Sequence, residues 1–84
     1  MKAHVKNYFD HFNFHEWEIF CEVCGALACD IHHIKFRSQG GGDEVENNIA
    51  LCRVCHDMAH AHTIHREELF KIHNQKLNHG NNNV

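Results

Sequence analysis

The sequence predicts a small α+β domain stapled by a four-cysteine zinc site, with a helix at each end. Three observations predict it. At 84 residues the chain makes one domain, near the size at which an apolar core alone supplies only roughly 3–5 kcal/mol, so a staple is expected. Five Cys and eleven His are far above ordinary usage. Four of the Cys form two Cys-x-x-Cys pairs, Cys21/Cys24 and Cys52/Cys55. Each pair can place two thiolates on one ion, and two pairs complete a tetrahedron. Finally, the apolar pattern changes along the chain from helical to strand-like and back.

The elements follow in order. Val5, Tyr8, Phe9 and Phe12 recur at i, i+3, i+4, i+7, one face of an amphipathic helix over residues 2–14. Residues 15–20 are ambiguous, because Trp17, Ile19, Cys21 and Val23 alternate with polar or aromatic residues as a short strand would. Cys24-Gly25 reads as a tight turn. Residues 29–36 are β-prone, Gly40-Gly41-Gly42-Asp43 breaks the chain, and Asn48-Ile49-Ala50-Leu51 is a second short strand. Residues 30–51 therefore read as a hairpin with a long loop. Arg53 to about His62 reads as a helix with Val54, Met58 and Ala61 on one side and His56 and His60 roughly opposite. Thr63 is placed to cap a last helix, with Glu67 and Glu68 near its start. Leu69, Ile72, Lys76 and Leu77 give that helix a weak apolar stripe. We expect one domain over residues 1–78 and a disordered, Asn-rich tail over 79–84.

Composition excludes several classes. The chain has no Pro, five Gly and 43% hydrophobic residues, which excludes a collagen-like, Pro-rich or fully disordered chain. No apolar run approaches the ~20 residues of a membrane span, and the start carries no signal-peptide pattern. The chain reads as intracellular, where cysteines bind metal or do chemistry more often than they form disulfides. A redox role for the Cys-x-x-Cys pairs would need a larger sheet than this chain can build, so structural zinc is the reading. Metal binding would then be folding free energy. Cys29 is left over and is expected to be a small buried residue beside the hairpin.

With zinc served by Cys, His32, His33, His56 and His60 are free for other work. A hairpin joined to a helix through zinc would bring His32 and His56 together, and such imidazoles bind a divalent ion with open positions. Strand pleat points His32 and His33 to opposite faces, so both serve one site only if the strand ends, twists or bulges there.

The string Asp30-Ile31-His32-His33-Ile34-Lys35-Phe36-Arg37-Ser38-Gln39-Gly40-Gly41, then Glu46-Asn47, then Leu51-Cys52-Arg53-Val54-Cys55-His56 with His60 following, resembles the HNH endonuclease family in its four-cysteine variety. The resemblance covers about residues 21–60. It implies a ββα-metal, treble-clef-like fold and a metal-dependent DNA endonuclease. By that resemblance His33 is the general base, and Asn47 orients its loop, with Asn48 as a one-residue alternative. His32, His56 and His60 bind the catalytic ion. Products would carry 5′-phosphate and 3′-hydroxyl. Three imidazoles in place of a carboxylate soften the site toward Mn²⁺, Co²⁺, Ni²⁺ or Zn²⁺ beside Mg²⁺. Many relatives carry Pro at the position of Phe36, so the strand exit is expected to differ. Arg37 and Arg53 flank the motif as phosphate contacts.

The net charge of -3 runs against a nucleic-acid partner, because cationic contacts dominate nonspecific DNA affinity. DNA binding by the isolated chain is expected to be weak and salt-sensitive. A partner protein or a homodimer would supply further cations. The competing reading is a non-catalytic zinc-binding module that docks on nucleic acid or protein.

Overall fold

The computed structural model describes residues 2–13 and 19–81, with the backbone alone for 79–81. Among these, the chain forms helix α1 (Ala3–Phe12), strands β1 (Asp30–His33) and β2 (Asn48–Leu51), and helices α2 (Arg53–His60) and α3 (Arg66–Asn81). Two 3-10 turns, Arg37–Gln39 and Val45–Asn47, shape the loop between the strands. The strands pair antiparallel, with Asp30 opposite Leu51 and His33 opposite Asn48. This is the expected hairpin. β1 is shorter than the β-prone run because Ile34 and Lys35 turn their amides to Asn47. The expected strand around Trp17 falls on residues 14–18, which lie outside the described residues.

The pleat of this hairpin divides the core in two. His32 and Ile49 are opposite each other, as are Ile31 and Ala50 one step along, so these pairs face opposite sides. Ile49 and Leu51 pack with Cys21, Cys52, Cys55, Ala59, Ile64 and Leu69 on the side of α2. Ile31 and Ala50 pack with Tyr8, Ile19, Val45 and Leu77 on the side of α1, with Val5, Phe9 and Phe12 around them. β2 is therefore covered on both faces, and all four of its residues are buried. Each fully buried Ile or Leu there contributes roughly 1.5–3 kcal/mol. α3 spans both halves, with Leu69 in one and Leu77 in the other.

Four expectations are corrected. Of the α2 side bearing Val54, Met58 and Ala61, only Met58 packs against the core; the fully buried residues are Cys55 and Ala59, and Val54 is exposed. The sulfur of Cys55 must reach the other three cysteines, and that requirement sets the rotation of the helix. α3 starts at Arg66, not at Thr63, and the His65 carbonyl accepts its first amides. Thr63 instead donates its amide to Met58 and closes α2. The same helix continues to Asn81, past the expected start of the tail at 79; residues 82–84 lie outside the described residues. Cys29 is exposed, because it sits before β1 at the margin of the α1 core, beside a small groove lined by Val5, Phe9 and Ile19.

A buried polar network ties the two halves together, and the apolar periodicity does not show it. Tyr8 donates to Glu22 Oε2 at 2.6 Å. His73 Nδ1 lies 2.9 Å from Glu22 Oε1, and His73 Nε2 donates to the Val45 carbonyl at 2.6 Å. A carboxylate only accepts, so a proton must sit between His73 Nδ1 and Glu22. Burial, then the Glu22 charge, pushes the Tyr8 hydroxyl well above its ordinary range, so it stays a donor. Glu22 lies inside the first Cys-x-x-Cys pair, so the network fastens that turn to α1, α3 and the Val45 turn. Removing one member strands a buried charge. His73→Leu is expected to cost roughly 3–5 kcal/mol and Tyr8→Phe about 1.5–3 kcal/mol, read by denaturant unfolding of zinc-loaded protein.

Candidate metal centre and active site

The four cysteines converge from two ends of the hairpin. Cys21 and Cys24 sit on a turn closed by Gly25 N–H to the Cys21 carbonyl at 2.9 Å, with Gly25 at φ 85°, and by the Phe20–Leu27 bridge. A left-handed φ of this kind favours Gly. Cys52 is the N-cap of α2, where its sulfur accepts the Cys55 amide, and Cys55 lies in the first turn. One sulfur from each lies within 4.8 Å of the others. Cys24 and Cys52 approach to 3.6 Å. A zinc tetrahedron with bonds of ~2.3 Å has edges of about 3.8 Å, so the sulfurs are spaced for one ion. Their electrostatics agree. Burial opposes the Cys21 thiolate, but the backbone amides of Cys52, Cys24 and Val23 outweigh it and bring the thiol down to about 7. Burial and the neighbouring sulfurs push the Cys55 thiol far up. The cluster cannot hold four negative charges without a cation.

Across the hairpin lies a second set. His32 is buried on the α2 side of β1, and His56 and His60 stand one turn apart on α2. Ring centroids are 5.0 Å apart for His32–His56, 5.4 Å for His32–His60 and 4.7 Å for His56–His60. One ring nitrogen from each lies within 4.8 Å of the others. The nearest nitrogens of His56 and His60 are 3.2 Å apart, so they share a proton or face a common cation. Burial, then His56 and His60, lowers the His32 pKa to about 4, which leaves it a neutral donor at physiological pH. These residues fit a divalent ion with open positions. Phe36 walls the pocket, edge-on to His32 and stacked on His60. Its φ of -64° is the angle a Pro would impose.

His33 turns to the other face. Its Nε2 lies 2.8 Å from Asp43 Oδ1; a carboxylate accepts, so Nε2 carries a proton, and in the neutral ring the lone pair is on Nδ1. Asn47 makes this contact possible. Its Oδ1 accepts Lys35 N–H at 2.8 Å, and its Nδ2 donates to the carbonyls of Lys35 and Gly42 at 3.0 Å. The strand exit and the glycine loop are thus clamped together, and the loop carries Asp43 to His33. A Cβ at Gly41 would collide with the Lys35 carbonyl, so the clamp needs that glycine. Asn48 holds the Glu44 carbonyl at 2.7 Å instead. The hydrogen bond from His33, followed by the Arg37 charge against slight desolvation, holds the Asp43 carboxyl below its usual range. Asp43 was read in the sequence only as part of the loop break. Its four-residue offset from Asn47 carries no periodic signal by which to find it. Asp30 also approaches the site, 3.7 Å from His56 Nε2.

Both histidine faces open on one cleft of about 760 Å³, because β1 ends at His33. Lys2, Arg37 and Asp30 line it, and Arg37 lies 3.9 Å from Asp43. Arg53 does not line the cleft and lies 3.6 Å from Asp57. Among the described residues no helix is long and apolar enough to cross a membrane.

A hairpin and a helix around a histidine pocket, on a four-cysteine frame, define a zinc-stapled ββα-metal domain. The chain belongs to the HNH endonuclease family, whose model matches residues 21–62. Comparison with curated proteins and with solved structures returns no match.

Purified protein is expected to carry one zinc per chain by metal analysis. Cys52→Ser should lose it and, with it, folding free energy on the order of 10 kcal/mol, read as loss of a cooperative thermal transition.

Proposed function

We propose that this chain is a metal-dependent endonuclease that hydrolyses phosphodiester bonds in DNA, with His33 as general base. One observation carries the reading. An imidazole held through Nε2 by Asp43 opens on the same cleft as three imidazoles spaced for a divalent ion. The ion, held by His32, His56 and His60, supplies charge neutralisation at the scissile phosphate and the leaving 3′ oxygen. His33 Nδ1 takes the proton of the attacking water. Asp43 fixes its tautomer and steadies the imidazolium that forms. Asn47 is a positioning residue, acting through the loop that carries Asp43. Arg37 and Lys2 bind flanking phosphates; Arg53, turned toward Asp57, is assigned no contact. Products carry 5′-phosphate and 3′-hydroxyl. Mn²⁺, Co²⁺ or Ni²⁺ should support the reaction at least as well as Mg²⁺, since imidazole is softer than carboxylate.

The net charge of -3 favours a second reading, a zinc-binding module that docks on nucleic acid or protein without cleaving. Nicking of supercoiled plasmid with a panel of divalent ions separates the two. His33→Ala is expected to lower the rate by about 10²–10⁴-fold while structural zinc, catalytic-ion binding and DNA affinity are retained. Asp43→Ala should lower it by less. Absence of nicking with every ion, in protein that still binds DNA, would establish the docking module.

His56→Ala is expected to weaken catalytic-ion binding and nicking together, measured by calorimetry and plasmid assay. Full nicking in that variant would remove His56 from the ligand set.

A further inference from the structure

We infer a second divalent-ion site on the α1 side of the cleft, formed by His4, His33 and Asp43, whose occupation by zinc inhibits the enzyme. One ligand atom from each residue lies within 4.8 Å of the others. Two imidazoles and a carboxylate form a facial ligand set with open positions. The pleat keeps this set apart from His32, His56 and His60, since His33 and His32 leave β1 on opposite faces.

His4 is the residue that points to an ion. It lies on α1 and is only 7% exposed. Its Nε2 donates to the Ile31 carbonyl at 3.0 Å, so Nδ1 holds the lone pair. That Nδ1 is buried with no hydrogen-bond partner. Metal-bound histidines generally donate their other ring nitrogen to a carbonyl or carboxylate, which sets the tautomer. His4 has that outer partner and lacks the inner one. Its ring centroid is 4.2 Å from that of His33, and both residues line the cleft, so an ion has a path in.

The His33–Asp43 hydrogen bond supplies the rest. At 2.8 Å the proton between Nε2 and Oδ1 occupies the place an ion would take. When the ion binds Nε2, that proton leaves and Nδ1 takes one up, so the imidazole stays neutral. Nδ1 then donates and no longer accepts. On the reading of His33 as base, an ion here removes the base whichever ion holds the three-histidine site. Imidazole-rich ligation favours Zn²⁺ and Co²⁺ over Mg²⁺, so excess Zn²⁺ should inhibit while excess Mg²⁺ should not.

Binding is tested apart from cleavage, with Co²⁺ titrated by calorimetry into zinc-loaded protein. Native protein should take up two Co²⁺ and His4→Leu one. His56→Ala/His60→Ala should take up one, and adding His4→Leu to that pair should leave none. Asp43→Asn, which spares the core if His4→Leu does not fold, should weaken the second Co²⁺ by about tenfold or more, since it removes the charged ligand. In nicking assays run with Mn²⁺, added Zn²⁺ should slow native protein by about tenfold or more, in line with loss of a general base. Zn²⁺ also competes with Mn²⁺ for the three-histidine site, so the site is read in the difference: the slowing should be about tenfold or more greater in native protein than in His4→Leu. One Co²⁺ in native protein, or two in His4→Leu, overturns the site. Two Co²⁺ in a native protein that nicks with no ion would sink the nuclease reading and leave the second site standing.

Discussion

The four-cysteine cluster is the constraint on which the rest of the molecule depends. It joins a turn before the hairpin to the first turn of the helix after it, Cys21 and Cys24 to Cys52 and Cys55. A two-stranded sheet of four residue pairs is not stable alone in water. Fastened at one end by a tetrahedral ion, it becomes the floor on which three helices pack. The cluster also sets the rotation of α2. Because Cys55 must point inward, Cys55 and Ala59 form the buried face and Val54 is left in solvent. The same rotation brings His56 and His60 against His32. The geometry of the histidine pocket is thus a consequence of sulfur placement.

The second determinant is the pleat. Adjacent residues His32 and His33 leave β1 in opposite directions and meet different partners, α2 for one and α1 with the glycine loop for the other. Both still open on one cleft because the strand ends at His33 and the chain turns away at Ile34 and Lys35. Asn47 enforces that turn by pairing with the backbone of Lys35 and Gly42 at once. One amide side chain therefore does the work of several ladder hydrogen bonds, and it delivers Asp43 to His33.

Electrostatics divide along the same line. The buried Glu22, His73 and Tyr8 network lies under the frame, where every charge has a partner. Lys2, Arg37 and the histidines line the open cleft. Only two of the eight Lys and Arg stand there, beside Asp30 and with Arg37 3.9 Å from Asp43, and a net charge of -3 leaves little for long-range attraction.

Much of this was legible in the sequence, for local reasons. Paired Cys-x-x-Cys spacing marks a tetrahedral site wherever the pairs end up. The i, i+3, i+4 pattern of Val5, Tyr8 and Phe9 marks α1, and Asn48–Leu51 marks a buried strand. The one-turn spacing of His56 and His60 puts them on one helical face by geometry alone. What the tertiary structure decided are meetings between distant segments. His4 with His33, Asp43 with His33, and His73 with Glu22 involve polar residues that carry no periodicity, and their partners lie 10 to 51 residues away. The face that α2 buries, the exposure of Cys29 and the start of α3 at Arg66 were likewise set by packing. Sequence pattern reports which residues prefer to leave water. Which polar groups then share the interior depends on how sulfur ligation and the pleat orient the elements that carry them.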